Sequence, residues 1–77
     1  MLLEINDKKG LRIVPTENIM LVTENIENKN IILLLLNGYE VKLKYDDIEE
    51  LKKDFKNIKI NWYKDYVSLK NKDFFMD

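Results

Sequence analysis

The chain contains no cysteine and no histidine. The first absence excludes disulfides, thiol catalysis and thiolate metal sites. The second removes the commonest general base and the commonest metal ligand. Small secreted domains usually rely on disulfides, so a cysteine-free chain of this kind points to a cytoplasmic protein. No apolar run exceeds six residues, far short of the roughly 20 needed to span a bilayer. The start, MLLEINDKKG, carries acid where a signal peptide needs a basic flank. Charge of one sign is also missing: the formal net charge is -1, so nothing pulls the whole chain toward nucleic acid or an anionic membrane. Glycine occurs twice and proline once, so backbone breaks are few and each is informative.

What is present is a globular composition, 45% hydrophobic and 35% charged over 77 residues. That length accommodates one domain, residues 1–77, and a chain of this size buries only about 60% of its unfolded surface. Lysine, asparagine and isoleucine are abundant while arginine occurs once, at Arg12. This usage fits an AT-rich bacterial or phage genome.

The pattern is organised around NIILLLLNGYEVKLKY, residues 30–45. Asn37-Gly38 between two apolar runs is a strong hairpin signal and predicts a two-residue type I′ turn. After it, Tyr39, Val41, Leu43 and Tyr45 alternate with Glu40, Lys42 and Lys44, as in a strand with one wet face. Before it, Ile31, Leu33 and Leu35 point one way, and Ile32, Leu34 and Leu36 the other. A strand apolar on both sides needs cover on both, from this chain or a second copy.

Upstream, residues 2–5 and 11–14 predict a hairpin closed by Asp7-Lys8-Lys9-Gly10, and Pro15 ends its second arm. Residues 19–23 predict a third strand with Ile19, Leu21 and Thr23 on one face and Met20 and Val22 on the other. Residues 24–30 read as a loop. Downstream, Asp46 with Glu49 resembles an acidic capping box, and Ile48, Leu51 and Phe55 make an apolar stripe. A helix is expected over 47–56, ending at Asn57. Ile58, Ile60 and Trp62 then alternate with polar residues, Lys64-Asp65 can turn the chain, and residues 66–69 predict a last strand. Phe74, Phe75 and Met76 are expected to dock on the body or on a partner. The expected fold is α+β: a mainly antiparallel β sheet of about six strands, as a small barrel or sandwich, with one α-helix.

Three sets of residues bear on chemistry. Asp46, Asp47, Glu49 and Glu50 offer oxygen ligands for a hard cation, but their position suits helix capping and the helix dipole. Between Lys52 and Lys72 lie seven lysines against Asp54 and Asp65, interleaved with Trp62, Tyr63 and Tyr66. Such a mixture can grip phosphates and stack bases, or it can be a wet face over a buried tryptophan. The third set is surplus apolar surface on the two-faced strand, Met20 and the C-terminal aromatics. No nucleophile has a histidine beside it, both glycines sit in turns, and no catalytic site or cofactor is implied.

The succession IVPTENIMLVTE, a strand ending in Asn37-Gly38, YEVKL and then DDIEELKKDF resembles the LytTR-type DNA-binding domains of bacterial response regulators. That resemblance implies DNA contact through the segment after the helix, here residues 57–64. The first 56 residues are also similar to the small FlbD/SwrD-type flagellar and swarming proteins, which share the hairpin and the acidic-start helix.

The sequence therefore leads to the expectation of a small non-enzymatic protein-binding regulator or inhibitor of a larger protein. Its size and composition are those of phage-encoded anti-defence proteins such as anti-CRISPRs. Contacts are expected at Trp62, Tyr63, Tyr66, Phe74 and Phe75, since aromatic residues dominate binding hot spots. The alternative is a nucleic-acid-binding regulator using Lys52, Lys53, Lys56, Lys59 and Lys64. A homodimer through a sheet edge or the apolar face is compatible with either.

Overall fold

The computed structural model describes the backbone of residues 1–75 and the side chains of residues 1–64. The fold is α+β, with five antiparallel strands in two open sheets and one long helix. Strands β1 (Leu2–Asp7) and β2 (Gly10–Pro15) form a hairpin. A 3-10 turn, Thr16–Asn18, leads into β3 (Ile19–Asn25), β4 (Asn30–Leu35) and β5 (Glu40–Lys44), which pair in the order β3-β4-β5. Helix α1 runs from Ile48 to Phe75.

The two sheets and the helix enclose one core. Leu3, Ile5 and Val14 come from the first sheet, Ile19, Ile31, Leu33 and Leu43 from the second, Tyr45 from the link after β5, and Leu51 and Ile58 from the helix. Ile31, Leu33, Leu43, Leu51 and Ile58 are fully buried, each contributing about 1.5–3 kcal/mol relative to exposure.

Two details set which side chains face this core. The hairpin after β4 has a three-residue loop rather than the expected two-residue turn. Gly38 N–H donates to Leu35 O, and Leu35 N–H to Tyr39 O, both at 2.9 Å. Only Gly38 in that loop has positive φ, at 86°, so a type I′ turn is excluded and the backbone is the Gly-bulge form. Leu34 therefore pairs with Glu40, and Leu33 with Val41. The odd-numbered residues Ile31, Leu33 and Leu35 join the face of Val41 and Leu43; a two-residue loop would have put the even-numbered set there.

The second detail is a bulge in β3. Ile19 pairs with Leu35 and Leu21 with Leu34, leaving Met20 as the extra residue. The bulge reverses the alternation. Ile19 and Val22 face inward while Leu21 and Thr23 face outward, which corrects the expectation that Ile19, Leu21 and Thr23 share a face.

The expected short helix and C-terminal hairpin are also corrected. Helix α1 is 28 residues long and passes straight through Asn57, so among the described residues the strands number five and the sheets stay open. Leu51, Phe55, Ile58 and Trp62 are spaced four, three and four, one continuous stripe against the core. The alternation of Ile58, Ile60 and Trp62 is a by-product of that stripe plus one exposed isoleucine. No glycine or proline follows Gly38, so nothing in the sequence interrupts the helix. Asn57 is accommodated inside it: Asn61 Nδ2 donates to Asn57 O at 2.9 Å and to Asn57 Oδ1 at 3.2 Å.

The helix start differs by one residue from expectation. Asp47, not Asp46, supplies the cap, its Oδ1 accepting Glu49 N–H at 3.0 Å. Asp46 instead pairs with Lys8 Nζ at 2.9 Å.

Candidate functional site

Among the described residues the surface divides into three regions that differ in what their polar groups are doing. The first lies around the start of α1, where Asn6, Asp7, Lys8, Tyr45, Asp46, Asp47 and Glu50 line a cleft of about 250 Å³. Three of its carboxylates, Asp7, Asp46 and Asp47, are committed to structure. Asp7 has a side chain with 0% exposure; its Oδ2 accepts Lys44 N–H at 2.8 Å and its Oδ1 accepts Lys9 N–H at 3.1 Å. Arg12 Nε lies 3.8 Å from the same carboxylate. Lys8 N–H donates to Lys44 O at 2.9 Å, so the tip of the first hairpin is tied to the last residue of β5. Asp46 and Asp47 hold Lys8 and the helix cap. No group of three or more acidic side chains among the described residues is placed to hold a metal ion.

Next to this cleft, Tyr45 OH donates to Asp54 Oδ2 at 2.8 Å. Burial first, then that hydrogen bond and the charge of Asp54, Asp7 and Glu50, hold the hydroxyl protonated far above the ordinary tyrosine range. The pair fastens the helix to the end of β5 and is a structural contact.

The second region is the outer face of the three-stranded sheet. Pairing across it sets Leu21 beside Leu34 and Thr23 beside Ile32. Leu34 and Ile32 are flanked in turn by Glu40 and Lys42 on β5. Ile32 and Leu34 are half-buried, while Leu21 is 51% and Leu36 64% exposed. Met20, pushed out by the bulge, is exposed beside them. The result is an apolar row over β3 and β4 with a charged border on β5. A smaller set, Leu2, Leu11 and Ile13, is exposed on the outer side of the first hairpin.

The third region is the solvent side of α1. Lys52, Lys53, Lys56, Lys59 and Lys64 are all exposed there. Lys59 Nζ sits 5.7 Å from the centre of the Phe55 ring, within cation–π reach. The only acid between Lys52 and Lys64, Asp54, points the other way to Tyr45.

The aromatic contact residues expected from sequence separate. Trp62 is half-buried against the core, and its indole N–H donates to Ile19 O at 3.0 Å. That bond occupies its one polar group and clamps the helix onto the beginning of β3. Tyr63, the next residue along the helix, is 64% exposed. Tyr66, Phe74 and Phe75 belong to the helical backbone, and their side chains lie outside the described residues, as does Met76.

Sequence reasoning missed Leu21, which parity assigned to the face of Ile19; no residue near Met20 announces the bulge. It also missed Leu11 and Ile13, although their alternation with Arg12 and Val14 was available as a signal. Among the described residues no helix is long and apolar enough to cross a membrane. No protein-family model, curated protein or solved structure matches the chain.

Proposed function

We propose that the protein is a non-enzymatic binding module that regulates or inhibits a larger protein, and that it does so by laying the outer face of the three-stranded sheet against its target. One observation carries the reading. Leu21 and Met20 on β3, and Leu36 in the loop just past β4, stand exposed near the half-buried Ile32 and Leu34, with Glu40 and Lys42 paired on the far side of Leu34 and Ile32. Exposed apolar side chains scattered singly need no explanation, but a contiguous cluster with a polar rim is the anatomy of an interface. The commitment of Asp7, Asp46 and Asp47 to a cap, ion pairs and backbone N–H groups fits the same reading.

The test is capture of a target by the immobilised protein, with the Leu21→Lys, Leu36→Lys double variant beside it. Both side chains are exposed, so the variant keeps its fold, and loss of capture is the expected result. Light scattering of the wild type at two concentrations supplies the competing outcome. A dimer that the double variant dissociates assigns the face to a second copy of this chain and overturns the reading.

A further inference from the structure

We infer that the free edge of β5 takes up an extended, acidic segment of a partner protein as an added strand. The inference goes beyond the reading above, because it concerns the backbone edge of the sheet and not the apolar row on its face.

The hydrogen-bond register shows which backbone groups are available. Tyr45 N–H donates to Lys29 O and Leu35 N–H to Tyr39 O, both at 2.9 Å. In an antiparallel ladder, hydrogen-bonded pairs alternate with non-hydrogen-bonded ones. Between those two bonds, Leu43 with Ile31 and Val41 with Leu33 therefore direct their backbone groups at β4. Glu40, Lys42 and Lys44 direct theirs the other way, out of the sheet edge. At Lys44 that edge is already occupied. Its carbonyl oxygen accepts Lys8 N–H at 2.9 Å, and its N–H donates to Asp7 Oδ2 at 2.8 Å. The tip of the first hairpin thus stands in for one residue of an added strand, with a carboxylate oxygen in place of a carbonyl. The outward N–H and C=O groups of Glu40 and Lys42 have no partner among the described residues.

The surroundings select the occupant. Lys9, Arg12, Tyr39, Glu40, Val41 and Lys42 line a groove of about 260 Å³ at this edge. Three of those side chains are cationic and one is anionic. Arg12 is the least committed of them. Its Nε lies 3.8 Å from Asp7 Oδ1, too far for a hydrogen bond, and the Asp7 oxygens already accept Lys44 and Lys9 N–H. Its planar fork of donors matches a carboxylate. Val41 is half-buried and gives alternate, apolar residues of an incoming strand something to pack on. A lysine on an edge strand ordinarily keeps other strands away. Here that repulsion acts on basic strands and on a second copy of this chain, which would bring the same excess of positive charge; an acidic strand is attracted instead. Main-chain bonds then supply affinity and alternate side chains supply specificity.

The experiment uses the full chain and three short labelled peptides in fluorescence anisotropy. One alternates valine with glutamate and another alternates valine with lysine. The third is the glutamate peptide with its backbone nitrogens methylated, which keeps the charge and removes every N–H donor. The glutamate peptide should bind about tenfold or more tightly than either of the others, since strand addition needs both the main-chain bonds and the matching charge. Glu40→Pro makes the converse test on the protein. Glu40 is the first residue of β5 and its N–H faces away from β4, a position where proline is tolerated. The variant deletes one outward N–H and also a repelling negative charge, so charge alone would tighten the glutamate peptide while loss of the bond weakens it; weakening is expected. Glu40→Gln, which loses only the charge, should bind that peptide at least as tightly as the wild type. Arg12→Gln should weaken the glutamate peptide and leave the lysine peptide unchanged. The Leu21→Ser, Leu36→Ser variant should bind the glutamate peptide as the wild type does, which keeps failure of this edge distinct from failure of the sheet face. Undiminished binding of the methylated peptide, equal binding of the glutamate and lysine peptides, or no peptide binding overturns the inference. So does a wild-type dimer that Glu40→Pro dissociates, which would assign the edge to a second copy of this chain.

Discussion

Strand β4 presents two apolar faces that meet different fates. Ile31 and Leu33 on one face have 0% exposure, because the first hairpin, β3, β5 and the helix stripe converge there. Ile32 and Leu34 on the other are only half-buried, held between Thr23 and Leu21 on one side and Lys42 and Glu40 on the other. The residue types are nearly the same on both faces. Hydrophobicity alone therefore does not say which face is core; the three-residue loop at Asn37-Gly38 and the bulge at Met20 decide it. Stability should reside on the inner face and binding on the outer.

The largest expected effect is on the inner side. Leu33→Ala should cost about 2–5 kcal/mol in urea unfolding, since it deletes a fully buried side chain at the centre of the core. A loss below about 1 kcal/mol would mean the inner face is loosely packed and the contrast with the outer face is false.

Asp7→Ala should follow, at about 2–3 kcal/mol. It leaves the Lys44 N–H that Asp7 now satisfies without its acceptor and removes the partner of Arg12. The same unfolding curves measure it, and an Asp7→Asn variant should recover part of the loss.

Tyr45→Phe should cost about 1–2 kcal/mol at neutral pH by deleting the bond to Asp54. It also has a pH signature. The Tyr45 proton is held more tightly in the folded state than in the unfolded chain, where tyrosine ionises near pH 10. Its contribution is therefore complete below that pH and is lost as the pH rises above it. Wild-type stability should fall more steeply between about pH 10 and 11.5 than that of Tyr45→Phe; parallel curves would show that Tyr45 ionises freely.

The smallest effect belongs to the outer face, where Leu36→Ser should change stability by less than about 0.5 kcal/mol, as substitutions at exposed sites do. A loss comparable with that of Leu33→Ala would erase the distinction between the faces.

Much of the strand architecture was legible because glycine, proline and aspartate punctuate it. Gly10, Pro15 and Gly38 stand at the boundaries of β2 and the central hairpin, and the alternation from Tyr39 to Tyr45 gave the inner face of β5 directly. Beyond Gly38 the punctuation stops. There the run from Ile58 to Trp62 satisfied a period of two and a helical period at once, and packing onto Ile19 chose the helix. The turn type and the bulge were illegible for another reason: each depends on one backbone residue whose conformation the neighbouring strand fixes. The interaction surfaces were half visible. The lysines emerged as a group, and the two-faced strand was evident, but assigning Leu21 to the outer row needed the bulge.

The most direct test of the division of labour between the two faces is to measure unfolding and target capture together for the Leu21→Ser, Leu36→Ser double variant. The account predicts an unfolding midpoint within about 0.3 M urea of the wild type, given a slope of about 1–3 kcal/mol per molar, together with loss of capture. Full capture at unchanged stability would contradict it, and so would a collapse in stability like that expected for Leu33→Ala.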